Sequence, residues 1–135
     1  MMRNLKKILL IEDQVDIRNL IKLCLHAHHY EIYEAADATL GLNMVHAIKP
    51  DLVILDIMLP TPLAPSIPAI KDGVDLCAQL KSDAHYAHMP IILLSAKGQV
   101  ADKALGMAAG ATAYIVKPFS PIHLIQLVEQ LLPDS

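Results

Sequence analysis

The sequence predicts an α/β fold, a doubly wound parallel sheet of five strands in a single domain. Three observations predict it. Short apolar runs ending at a polar residue recur five times, and a stretch of helical periodicity follows each of them. The length of 135 residues is that of one ordinary domain, able to bury a core without staples. A hydrophobic content of 54 % suits a sheet covered on both faces.

The strands are expected at 7–11, 30–35, 52–56, 90–95 and 113–116. After the first, Ile17, Leu20, Ile21, Cys24, Leu25 and His28 repeat at helical spacing and mark a core-facing stripe. Leu40, Met44, Ala47 and Ile48 mark a second helix, ended by Pro50. Val74, Cys77 and Leu80 mark a third. Val100, Ala104, Met107 and Ala108 mark a fourth, closed by Gly110. Leu124, Ile125, Val128, Leu131 and Leu132 mark the last, with Ser120 as its N-cap and Pro121 at its first position.

Alternating strands and helices imply βαβ units, and five strands in this length imply the flavodoxin-like order 2-1-3-4-5. The strand starts are spaced by 23, 22, 38 and 23 residues. The long step holds residues 61–71, with Pro62, Pro65 and Pro68, and reads as a proline-rich insertion after strand three. No internal repeat and no interdomain linker is visible, so 1–135 reads as one unit.

Bulk properties exclude several classes. No apolar run approaches the roughly 20 residues of a membrane span. The basic N-terminus is followed by an apolar run that Glu12 and Asp13 interrupt, too short for a signal peptide. These features point to a cytoplasmic protein. The net charge of −3 disfavours direct nucleic-acid binding. Cys24 and Cys77 lie on apolar helical faces and read as buried thiols rather than a disulfide. His26, His28 and His29 cluster at a helix end, where histidines commonly face solvent, and no Cys/His spacing matches a zinc pattern.

In sheets of this order the site lies beyond the carboxyl ends of the strands. There stand Glu12 and Asp13 after strand one, Asp56 at the end of strand three, Ser95 at the end of strand four and Lys117 after strand five. Carboxylates packed together repel, and some stay protonated without help. A hard cation resolves this, and Mg²⁺ takes oxygen ligands while leaving room for phosphate oxygens. A lysine and a hydroxyl beside it complete a phosphate cradle. Asp13 also stands near the start of the first helix, where it can serve as a cap.

The motifs ILLIEDQ, LVILDIMLP, the Asp72-Gly73 pair, PIILLSA and AYIVKPFS occur in this order along nearly the whole chain. Together they resemble the receiver domain of two-component response regulators, of the chemotaxis-regulator type. The resemblance implies that Asp56 is the phosphoacceptor. It implies that Asp13 and Asp56 bind Mg²⁺ directly, Glu12 mostly through water, and the Met58 backbone carbonyl as a further ligand. Ser95 is then the hydroxyl donor to the phosphoryl group and Lys117 its cation, with a cis Lys117–Pro118 bond. Ser95 and Tyr114 form the switch that reshapes the face of helix four, strand five and helix five. Met58 and Lys97 occupy positions that tune dephosphorylation in the family.

The resemblance further implies a histidine kinase or histidine phosphotransfer protein as donor and a downstream protein partner. It implies a phosphoprotein that catalyses its own phosphorylation and dephosphorylation rather than an enzyme acting on other substrates. Pro60 and Asp72 stand twelve positions apart, where the family has a short turn. Residues 111–113 replace the acidic pair of the dimerising transcription-factor subgroup, which favours a monomer or a weak, phosphorylation-dependent dimer. A phosphatase of the haloacid dehalogenase type needs a second Asp two residues after the first, and position 58 is Met. A flavin carrier needs a phosphate loop after strand one, where Glu12 and Asp13 repel phosphate. Four readings stay open: a stand-alone receiver, a relay intermediate, a degenerate receiver serving only as a protein-binding module, and the receiver piece of a longer transcription factor.

Overall fold

The computed structural model describes residues 5–26, 28–59, 72–96 and 100–133. Strands β1 (Lys7–Ile11), β2 (Glu31–Ala35), β3 (Leu52–Asp56), β4 (Ile91–Ala96) and β5 (Ala113–Lys117) alternate with helices α1 (Val15–His26), α2 (Ala38–Ile48), α3 (Gly73–Ser82), α4 (Val100–Ala108) and α5 (Pro121–Leu131). The strands pair in parallel in the order β2-β1-β3-β4-β5, as the sequence predicts.

Strands β1, β3 and β4 lie inside the sheet and are covered on both faces, which is why they read as continuous apolar runs. The edge strands β2 and β5 carry a mixed pattern. Because side chains alternate across a strand, the core splits into two layers. Leu9, Ile11, Val53, Leu55, Ile91 and Leu93 pack with α2 and α3. Ile8, Leu10, Leu52, Ile54, Ile92 and Leu94 pack with α1 and α5.

Helix termini follow their local chemistry. Asp37 caps α2 by accepting from the Leu40 amide, Asp72 caps α3 through the Asp75 amide, and Ser120 caps α5 with Pro121 in its first turn. Lys49 ends α2 in the left-handed region, just before Pro50. Gly110, with φ of +99°, turns the chain after α4 into β5, a conformation that favours glycine.

Several helix faces differ from the periodicity reading. In α1 the buried residues are Ile21 and Leu25, Leu20 is exposed, and His28 lies beyond the helix end. In α2 the buried face is Ala38, Gly41, Leu42 and Val45, while Leu40 is exposed. In α4, Ala104, Met107 and Ala108 are exposed and Gly106 is the buried residue of 104–108. In α2 and α4 the cause is that glycines bring the helices onto the sheet. A Cβ on Gly41 would lie 2.5 Å from Ile11 Cδ1, and one on Gly106 would lie 2.4 Å from Leu93 Cδ1. Cys77 is buried as expected, but Cys24 is only half-buried, and both are free thiols.

No helix among the described residues is long and apolar enough to cross a membrane. The proline-rich segment 61–71 lies outside the described residues, as does Lys97.

Candidate functional site

The tips of β1, β3 and β5 bring the predicted charged residues together. Glu12 and Asp13 form the turn after β1, Asp56 ends β3, and Lys117 ends β5. Lys117 Nζ donates to Glu12 Oε1 at 2.8 Å and to Asp56 Oδ2 at 2.9 Å. The Met58 amide donates to the other Asp56 oxygen, Oδ1, at 2.9 Å. Glu12 and Asp56 are buried, whereas Asp13 and the Met58 side chain are exposed.

Carboxylate oxygens of Glu12, Asp13 and Asp56 lie within 4.8 Å of one another. An all-oxygen, anionic donor set in one place suits a hard divalent cation and not a soft one. Asp13 is not a helix cap. The first α1 bond runs from the Arg18 amide to the Gln14 carbonyl, which puts Gln14 at the cap position.

Electrostatics divide the two buried acids. Burial, reinforced by the neighbouring Asp56 carboxylate, pushes Glu12 up to about 8. Burial also opposes ionisation of Asp56, but hydrogen bonds from Glu12, Lys117 and the Met58 amide outweigh it and hold this group below the usual carboxylate range. Burial disfavours the Lys117 ammonium, yet its two carboxylate partners more than compensate and raise it. The two acids are thus pushed apart, Asp56 toward the ionised form and Glu12 toward the protonated one, beside a Lys117 held in its charged form.

Ser95 is buried on β4, one residue beyond the Leu94 that pairs with Asp56. Its hydroxyl donates to the Ala96 carbonyl at a long 3.4 Å. The Lys117–Pro118 bond is cis. Tyr114 lies away from the tip of β5. It sits three residues back on β5, half-buried against the α2–α3 core layer, and a Cβ on Gly106 would lie 4.0 Å from its Cδ2.

Gly73 fixes the far side of the pocket. Its amide donates to the Ile57 carbonyl at 2.9 Å, and a Cβ added to it would lie 2.1 Å from the Asp56 carbonyl oxygen. Only glycine lets α3 start so close to the Asp56 backbone at the end of β3. Arg18 was not among the residues that the sequence singled out. Its Nη1 donates to the Glu12 carbonyl at 2.9 Å from the first turn of α1. The available signal was its place one turn after the acidic pair.

The family model of the response regulator receiver domain matches residues 8–129. This chain belongs to the response regulator receiver family. It is 35 % identical over 130 residues to the alkaline phosphatase synthesis transcriptional regulatory protein PhoP of Bacillus subtilis, covering 96 % of this chain and 50 % of that protein. The chain spans about half the length of the curated relatives it matches. Among solved structures, the receiver domain of NtrX from Brucella abortus superposes with a TM-score of 0.81 at 30 % identity, covering 95 % of this chain and 99 % of that one. The chemotaxis response regulator CheY4 of Vibrio cholerae gives a TM-score of 0.81 at 26 % identity, covering 95 % and 99 %. As a receiver of two-component systems, the chain fits the fold and the acidic pocket described above.

Proposed function

We propose that this receiver takes a phosphoryl group onto Asp56 in a Mg²⁺-dependent reaction and thereby switches its α4–β5–α5 face toward a partner protein. The observation that carries the reading is the convergence of Glu12, Asp13, Asp56 and Lys117 on one pocket, with Asp56 ionised at its centre. Receiver-family membership supports a histidine kinase or histidine phosphotransfer protein as donor.

Asp13 and Asp56 would hold the cation, with Glu12 acting through water and the Met58 carbonyl adding an oxygen. When bound, Mg²⁺ supplies charge neutralisation at the phosphoryl oxygens. Lys117, now shared between two carboxylates, turns to a phosphoryl oxygen and frees one edge of Asp56. The carboxylate attacks phosphorus in line. An O–P bond to Asp56 forms, the N–P bond to the donor histidine breaks, and the imidazole leaves with the electron pair. Water later attacks the acyl phosphate, releasing inorganic phosphate and restoring the carboxylate.

The long hydrogen bond of Ser95 leaves its hydroxyl readily drawn to the phosphoryl group. Tyr114, beside Gly106 of α4, then changes rotamer, and the phosphate contacts bias a two-state equilibrium. The downstream partner is a protein, and the chain acts as a self-modifying switch.

Incubation with Mg²⁺ and acetyl phosphate, followed by intact mass, tests this. The wild type is expected to gain one phosphate that hydroxylamine removes, and Asp56→Asn is expected to gain none. A wild type that stays unmodified at millimolar acetyl phosphate, or an equal gain in Asp56→Asn, would sink the reading.

A further inference from the structure

The turn carrying Glu12 and Asp13 is anchored more heavily than a three-residue connection requires. The Glu12 amide donates to the Ala35 carbonyl at 3.0 Å, tying the turn to β2. The Glu12 carbonyl accepts from Arg18 Nη1 at 2.9 Å, so both backbone groups of this residue are spoken for. Arg18 is itself fixed, because its Nε donates to Glu34 Oε1 at 3.2 Å. Glu34 is in turn held by Lys22 Nζ, 2.9 Å from its second oxygen. The guanidinium is largely covered, with 18 % of the side chain exposed. Among the described residues, no side chain holds Asp13, and its place there follows from the backbone of this turn.

We propose that Arg18, braced by Glu34, is a positioning residue for the cation site, setting Mg²⁺ affinity by fixing the Glu12–Asp13 backbone without touching the ion. The inference rests on the Mg²⁺-dependent reading above. A guanidinium presents its donors in one rigid plane, so it can grip Glu34 with Nε and the Glu12 carbonyl with Nη1 at once. Lysine has a flexible stem and no such fork. Groups that orient metal ligands commonly change affinity by tenfold or more when removed.

Position and charge predict opposite signs at this residue. As a cation close to the site, Arg18 repels Mg²⁺, so its neutralisation should tighten binding if charge alone mattered. As a brace, its loss should loosen binding.

Mg²⁺ titration of the unphosphorylated protein, followed by amide chemical shifts or calorimetry, decides between them. Arg18→Gln is expected to raise the Mg²⁺ Kd about tenfold. Arg18→Lys keeps the charge, so a changed affinity there reports geometry, and a rise of at least about threefold is expected because the fork is lost. The double variant Arg18→Gln/Glu34→Gln should be hardly weaker than Arg18→Gln alone, since the two act as one unit. Unchanged or tighter binding in Arg18→Gln overturns the proposal. Should that variant fail to fold, wild-type affinity in Arg18→Lys overturns it equally. A wild type without Mg²⁺ affinity removes this inference and the reading beneath it together, whereas wild-type binding with indifferent Arg18 variants removes the inference alone.

Discussion

Helices α3 and α4 follow successive strands of the sheet, yet they are held in very different ways. α3 buries Gly73, Leu76, Cys77 and Leu80, and its first residue lies against the backbone of Asp56. α4 buries only Gly106 over 104–108 and leaves Leu105 and Met107 exposed. The Asp56 strand is thus clamped at its tip by the start of α3, while Tyr114 adjoins Gly106 in a stretch of α4, 104–108, that is otherwise exposed. The proposed phosphoryl switch would use this difference. The reacting carboxylate must keep its place, and the reporting surface must have a second arrangement within reach.

Two glycine substitutions probe the contrast most sharply, because they are chemically identical. Gly73→Ala drives a Cβ into the Asp56 carbonyl oxygen and the Ile57 Cα, which are backbone atoms with nowhere to go. The expected cost is about 3 kcal/mol or more, together with loss of phosphorylation. Chemical denaturation and the acetyl phosphate assay check this. A cost below about 1 kcal/mol would mean that the clamp is not tight.

The acid cluster on the clamped side should respond to pH. The folded value of Glu12 is raised from 4.5 to about 8. Its contribution to stability is therefore complete below about pH 4.5 and is lost as pH rises through about 8. Asp56 acts in the opposite sense: its value is lowered from 3.8, so its contribution is present above that value and lost as pH falls further. A cation entering the pocket competes with the Glu12 proton. Mg²⁺ affinity should therefore rise with pH up to about 8, by at most about tenfold per unit, and then level off. Calorimetric Kd values at three pH values spanning that range, if flat, would contradict a protonated Glu12.

In α4 the expected effects at Gly106 and Leu105 are smaller. Gly106→Ala brings a Cβ against Leu93 Cδ1, the movable end of a side chain, and alanine is favoured over glycine in a helix by about 1 kcal/mol. Net stability is expected to stay within about 1 kcal/mol of wild type, with Tyr114 ring signals in NMR shifted because α4 moves. Leu105→Ala, on an exposed side chain, should cost under about 0.5 kcal/mol. A large loss from Leu105→Ala would show that this side chain is held by packing rather than exposed.

The same contrast explains what the sequence could disclose. Strands β1, β3 and β4 were legible because burial on both faces writes itself as an unbroken apolar run. The acids and Lys117 were legible because each follows such a run directly. Helix faces were less so. In α2 and α4 the apolar stripes Leu40, Met44, Ala47, Ile48 and Val100, Ala104, Met107, Ala108 leave out Gly41 and Gly106, which face the sheet so that the helices can approach it. Hydrophobic periodicity weights bulk, and it cannot see a contact made by the absence of a side chain. Arg18 escaped for a related reason. It acts on a backbone carbonyl, and a carbonyl leaves no trace in residue identity.

Amide hydrogen exchange on the Mg²⁺-loaded protein, with and without beryllofluoride as a phosphoryl mimic, tests the central claim most directly. The account predicts altered protection across 104–117, little change across 73–82, and no response at all in Asp56→Asn. Equal changes in both segments, or the same response in Asp56→Asn, would contradict it.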